Sequence, residues 1–240
     1  MTAALPTRTA ALSDARIVER GEDGTVLPML VWAPGPGWRM LSSAVLGGGW
    51  DERHWVVNAQ VRGGYRRMDT YRHLSTIAAE AGLRGPGVGL MTAASVRDVR
   101  RAAEEGAEAL VTAGVGVHGW AATTGPSTAG PPPAGTINII AALPVPLSPA
   151  AYVNAVATAT EAKVQALLDA GLDASGTPTD AVCVAAPVAG DGQVEEMFMG
   201  PRSVWGARLA RTVHAATYQA CLHDRVTRER ERDERRAPVR

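Results

Sequence analysis

Leu27-Pro28-Met29-Leu30-Val31-Trp32, then Ala33, then Pro34-Gly35-Pro36-Gly37, then Trp38-Arg39-Met40-Leu41-Ser42-Ser43-Ala44-Val45-Leu46: two apolar runs stand on either side of four residues that favour a turn. Runs of this composition bounded by Gly and Pro read as strands. A turn this short folds the second strand back on the first, and such an early hairpin argues against a purely parallel sheet. Gly47-Gly48-Gly49 follows, and Trp55 to Val61 reads as a third strand.

Working outward, Asp69 to Gly82 carries Leu74, Ile77, Ala78 and Ala81 at helical spacing and stops at glycine, which predicts a helix. Val88 to Met91 reads as a short buried strand. Ser95 with Asp98 three residues on resembles a capping box, predicting a helix that ends at Gly106. Ala109 to Val115 and Thr136 to Leu143 read as strands. The Gly-, Pro-, Ser- and Thr-rich segment between them, Gly116 to Gly135, is a long loop. Ser148 caps a helix with Pro149 at its first position and Gly171 past its end. Ala181 to Pro187 is a further strand, Gln193 to Met199 a weaker candidate, and Ser203 caps a long last helix. The order predicts an α+β fold: a single mixed β-sheet flanked by helices. Residues 1–13 are expected to be a disordered N-terminus, 14–223 a single domain, and 224–240 a charged helix extension or tail.

The chain has 240 residues and a formal net charge of zero, which argues against a nucleic-acid or membrane-surface partner. Cys183 and Cys221 are its only cysteines, a usage that suits a reducing cytosol. There is no signal-peptide pattern and no apolar run of membrane length. A soluble, cytoplasmic protein is expected, with a homo-oligomer left open. The five histidines show no metal-ligand spacing, so no protein-bound metal or cofactor is expected.

Lys163 is the one lysine among 24 basic residues, and no arginine occurs between Arg101 and Arg202. A lone lysine in a chain that otherwise uses arginine suggests a task needing a compact ammonium with three donors. On a wheel of about 100° per residue, Asn154, Thr158, Glu161 and Gln165 share one face, and Lys163 points nearly the opposite way. Lys163 therefore finds its partner on another element, and Asp180 or the substrate is the candidate. Thr177, Thr179 and Asp180 place two hydroxyls and a carboxylate at a strand entrance. That pattern fits a catalytic cluster, and it equally fits an ordinary turn. The polar stripe on the Lys163 helix reads as buried or substrate-facing, with a solvent face as the plain alternative. His214 reads either as a proton carrier or as a core histidine.

Several blocks resemble the adenosylcobinamide amidohydrolase (CbiZ) family. They are Ser42-Ser43-Ala44 with Gly47-Gly48-Gly49, Leu90 to Ala94, Gly114-Val115-Gly116, Gly135-Thr136-Ile137-Asn138-Ile139, Asn154 to Lys163, Gly176 to Val182, and Gly200-Pro201-Arg202-Ser203 running on to His214. The resemblance implies hydrolysis of the amide between a corrin propionate arm and aminopropanol, giving adenosylcobyric acid in corrinoid salvage. Cobalt would enter with the substrate. It points to Ser43, Gly48, Asn138, Asn154, Thr158, Thr177, Thr179, Arg202 and Ser203 as candidate substrate contacts. Amide hydrolysis needs a base or nucleophile, oxyanion donors and an acid for the leaving amine. Glu161 or Asp180 is the candidate base, Lys163 and Asn154 the candidate donors, and His214 the candidate acid. A Thr177 or Thr179 nucleophile is the rival scheme. A non-catalytic corrinoid-binding or carrier protein of the same fold is the alternative function.

Overall fold

In the computed structural model, residues 12–123 and 135–236 are described. The strands are β1 (Arg16–Glu22), β2 (Thr25–Trp32), β3 (Trp38–Ser42), β4 (Gly49–Glu52), β5 (Trp55–Gln60), β6 (Gly87–Thr92), β7 (Arg100–Glu104), β8 (Ala107–Gly114), β9 (Thr136–Ala142) and β10 (Ala181–Pro187). The helices are α1 (Thr70–Glu80), α2 (Pro149–Asp169) and α3 (Val204–Arg236). The fold is α+β, as expected.

The strands do not form the single sheet expected from the sequence. They divide into a four-stranded sheet, β1-β2-β5-β6, and a six-stranded sheet, β4-β3-β10-β9-β8-β7. Both sheets are mixed, since β5 and β6 are parallel, β9 and β10 are parallel, and every other pair is antiparallel. The reason lies in the opening stretch. β2 and β3 do not pair with each other, and Pro34–Gly37 is a corner by which the chain changes sheets. Gly35 and Gly37 take positive φ there, +80° and +86°, and their N–H groups donate to His54 O and Glu52 Oε1 at 3.0 Å. Trp32 and Trp38 flank the corner and meet edge to face, with ring centroids 5.1 Å apart.

Alternation along the strands builds three cores in four layers. Leu30, Trp32, Val56, Val88 and Leu90 of one sheet pack against Trp38, Met40, Leu110, Ile140 and Cys183 of the other. The opposite face of the four-stranded sheet, with Met29, Val31 and Val57, is covered by Leu74, Ile77 and Ala78 of α1. The opposite face of the six-stranded sheet is covered by α2 and α3. α2 buries mostly alanines (Ala151, Ala155, Ala159, Ala162 and Ala166), and α3 brings Leu209, Val213, Ala216, Ala220 and Cys221.

Four local expectations change. Residues after Ser95 form one turn of 3-10 helix (Val96–Asp98) and then the β7–β8 hairpin, where a helix to Gly106 was expected. Glu105 and Gly106 both take positive φ (44° and 94°), the backbone a two-residue hairpin turn demands. Gln193 to Met199 forms no strand, and Glu196 makes only an isolated bridge to Leu147. At the N-terminus, Leu12 lies within the intersheet core at 0% exposure. Order therefore begins at least from that residue, inside the stretch expected to be disordered. The expected boundary at residue 223 falls inside α3, which continues unbroken to Arg236.

Candidate functional site

The helix carrying Lys163 starts where the sequence says it must. Ser148 Oγ accepts from Ala151 N at 3.2 Å, Pro149 occupies the first turn, and Gly171 at φ +76° follows the end. Its buried face is Ala151, Tyr152, Ala155, Thr158, Ala159, Ala162, Lys163, Ala166 and Leu167. Lys163 thus points at the sheet, and its Nζ donates to Asp180 Oδ2 at 2.5 Å. Lys163 does find its partner on another element, and of the two candidates, Asp180 and the substrate, Asp180 is in contact.

Asp180 is crowded with donors. Oδ1 accepts from Ile137 N at 2.9 Å and from the Thr177 hydroxyl, and Oδ2 accepts from Thr177 N at 3.2 Å besides Lys163. Four donors thus converge on the two oxygens of this carboxylate in a largely buried place. Beside it, Thr179 Oγ1 donates to Gly135 O at 2.8 Å and accepts from the Thr136 hydroxyl. Gly176 makes the cluster possible, because a Cβ there would lie 2.5 Å from Asp180 Oδ2 and 2.7 Å from Lys163 Nζ.

Strand register brings the remaining blocks to the same rim of the sandwich. Ser42 pairs with Cys183, Gly114 with Thr136, and Asn138 with Ala181. The end of β3, the end of β8 and the starts of β9 and β10 therefore lie side by side. Ser43 Oγ accepts from Val182 N at 3.1 Å. The end of β6 joins them from the other sheet, since Asn138 Nδ2 donates to Met91 O at 2.9 Å and a Cβ on Gly114 would lie 3.1 Å from Ala94 Cβ. Asn138 itself is only 1% exposed, between the sheets. Gly48 packs against the Ala44 carbonyl on the loop leaving β3.

The other candidates assemble elsewhere. Thr158, Glu161, Gln165, Arg202 and His214 line a cleft of about 370 Å³ between α2 and α3, on the face of α2 turned away from Lys163. His214 Nε2 donates to Asp169 Oδ2 at 2.7 Å and its ring stacks on Tyr218. Asn154 Oδ1 accepts from Met199 N at 3.0 Å, and Thr158 Oγ1 donates to Met199 O at 2.8 Å. Half of the polar stripe thus clamps the backbone that leads into α3. Ser203 caps that helix, its Oγ accepting from Gly206 N at 3.1 Å. The structure unites Lys163, Asp180, Thr177 and Thr179, and it separately unites Glu161, Arg202 and His214. It does not bring the two groups together.

Sequence reasoning missed several neighbours of the first group. Thr136 and Gly176 stood inside quoted blocks, but Thr136 meets Thr179 across 43 residues and Gly176 meets Lys163 on another element. Burial pushes the thiol of fully buried Cys221 up to about 12, with the charges of Asp224 and Asp180 adding to it and Lys163 opposing. Asp224 and Arg228 lie in a stretch that composition alone marks as solvated. Yet Asp224 Oδ2 accepts from Val115 N at 3.0 Å and from Arg228 Nε at 2.6 Å. Among the described residues, no helix is long and apolar enough to cross a membrane.

Comparison with known proteins agrees with this arrangement of blocks. Residues 9–229 match the family described as adenosylcobinamide amidohydrolase. An adenosylcobinamide amidohydrolase of Methanosarcina mazei is 32% identical over 177 residues, covering 71% of this chain and 84% of that protein. The family match spans both sheets and all three helices, so the chain belongs to the adenosylcobinamide amidohydrolase family.

Proposed function

We propose that this amidohydrolase cleaves adenosylcobinamide at the Lys163–Asp180 rim, giving adenosylcobyric acid and free aminopropanol. The observation that carries the choice of site is a proton direction. Of the hydroxyls gathered at the rim, Thr177 alone points its proton at a carboxylate, Asp180. Thr179 donates to a carbonyl and Thr136 to Thr179.

In this scheme Thr177 Oγ attacks the amide carbon while its proton passes to Asp180. Lys163 has three N–H groups and one is given to Asp180, so the others serve the developing oxyanion. The tetrahedral intermediate expels aminopropanol, which takes the proton from Asp180, and water then releases the acyl group from Thr177 by the same steps. The flat substrate lies across the small residues Ala93 and Ala94, and its cobalt arrives bound in the corrin ring. Two free, buried thiols suit a reducing, cytoplasmic setting for the reaction.

The test is direct. The wild-type protein incubated with adenosylcobinamide yields aminopropanol and adenosylcobyric acid, separated by chromatography. T177V, K163M and D180N each lose roughly 100- to 10,000-fold in kcat, the usual range for groups that move protons in the transition state. E161Q, in the α2–α3 cleft, stays near wild type. Loss in E161Q with turnover retained in T177V would move the site to that cleft. Substrate binding without product over hours would leave only a corrinoid-binding role.

A further inference from the structure

We propose that Asp224 and Arg228, on the last third of α3, are positioning residues for the reaction: they latch the loop Val115–Gly119, which in turn sets Gly176 and Thr177 against Lys163. The inference rests on the Lys163–Asp180 reading and extends the machinery into a stretch of sequence that composition assigns to a solvated tail.

The connection runs through four steps. Arg228 Nε donates to Asp224 Oδ2 at 2.6 Å, fixing the carboxylate. That carboxylate accepts from Val115 N at 3.0 Å, the first residue beyond β8. The Arg228 guanidinium lies against Gly116, filling the space a Cβ would take there. Three residues on, Gly119 N donates to Gly176 O and Gly119 O accepts from Ser175 N, both at 3.0 Å. Gly176 is the residue whose missing side chain admits both Lys163 Nζ and Asp180 Oδ2, and Thr177 is next in the chain.

The loop also braces itself between these anchors. His118 Nδ1 donates to Val115 O at 2.7 Å, and Ala121 N donates to Ser175 Oγ at 2.8 Å. It is therefore held at one end by α3 and at the other by the strand entrance that carries the chemistry. An arginine suits the first anchor for a stated reason. Its planar fork can lie flat on a glycine backbone while one N–H reaches the carboxylate, which a lysine ammonium cannot do.

Displacing this loop shifts the reacting groups and leaves the corrin-binding surface in place, so the loss falls on kcat. We expect R228M and D224A to lose roughly 10- to 100-fold in kcat with KM nearly unchanged, the scale of a small misplacement of catalytic groups. R228K does not restore turnover. G116A imitates R228M, because the added methyl group displaces the guanidinium. The two changes are non-additive when combined, as expected for residues in contact.

Amide exchange over residues 115–121 rises in R228M, D224A and G116A, a readout independent of turnover. Unchanged exchange, unchanged kcat, or additive losses in the G116A/R228M pair would each overturn the latch. If the wild type hydrolyses adenosylcobinamide and R228M does so equally well, the latch alone falls. If T177V and K163M remain active as well, the rim reading falls with it.

Discussion

A methyl group at Gly176 would stand within 2.7 Å of both the Lys163 ammonium and the nearer Asp180 oxygen, so Gly176→Ala must push the pair apart. Both side chains are nearly buried, at 9% and 11% exposure, and separating them strands charge away from water. Breaking a buried pair from one side costs about 3 kcal/mol or more, and G176A and K163M are expected to lose that much in urea unfolding. The double variant K163M/D180N removes both charges while leaving an amide oxygen to accept from Ile137 N, and its stability recovers well above that of K163M alone. Activity does not recover with it. Recovery of both would make the pair a structural tether with no part in the chemistry. Half of this pair was legible from sequence: one lysine in an arginine-rich chain and a helical wheel sent Lys163 to another element, with Asp180 or the substrate as its partner, and the contact with Asp180 came from the fold. That Glu161 and His214 lie apart from the pair, in the α2–α3 cleft, was not legible, because a polar helix face looks alike whether it meets a strand entrance or a neighbouring helix.

At the level of elements, the charged strand β1 depends on ionic contacts that apolar patterning does not reveal. Glu22 at its end is ion-paired with Arg20 and lies 3.3 Å from His73 Nε2 on α1. His73 Nδ1 is in turn hydrogen-bonded to the Tyr65 hydroxyl at 2.9 Å. Burial alone would raise the Glu22 carboxyl. The hydrogen bond and charge of Arg20, helped by His73 and Arg67, outweigh it and hold the group below its usual value of 4.5. A carboxylate depressed in the folded state adds stability that is present above the unfolded pKa and lost as pH falls through the folded one. Glu22→Gln is therefore less stable than wild type at pH 7, and the difference closes as the pH drops below about 4.5, the unfolded value. Parallel thermal melts across pH 3 to 7 measure it, and a gap that persists unchanged at pH 3 would contradict the assignment. β1 and the Arg100–Glu104 strand escaped sequence reasoning for one reason. Both are edge strands with charged, half-exposed positions, so neither shows a buried period.

Across the whole molecule, the division into two sheets could not be read from Leu27–Leu46, because a corner and a hairpin turn use the same Pro and Gly. What decides between them is distant. β2 pairs with β5, and β3 pairs with β10, more than a hundred residues on. Once two sheets face each other, something must set their alignment, and the apolar side chains between them are poorly directional. Asn58 of one sheet and Thr112 and Asn138 of the other are each 1% exposed in that layer. Asn58 Nδ2 donates to Thr112 Oγ1 at 2.8 Å, and Asn138 Nδ2 donates to Asn58 Oδ1 at 2.9 Å. Sliding the sheets would turn these amides against leucine and valine, where an unmet polar group costs about 1–3 kcal/mol. Asn58→Ala should therefore cost about 2 kcal/mol by leaving two partners unmet. Replacing all three by apolar residues of similar size (N58L/T112V/N138L) should cost little, and it also removes Asn138 Oδ1, which has no partner. The triple variant is then stable but loses turnover, because Met91–Ala94 and Thr136 come from different sheets and no longer share one alignment. Full stability in N58A would show that packing alone aligns the sheets, and full activity in the triple variant would show that the rim does not need the amides.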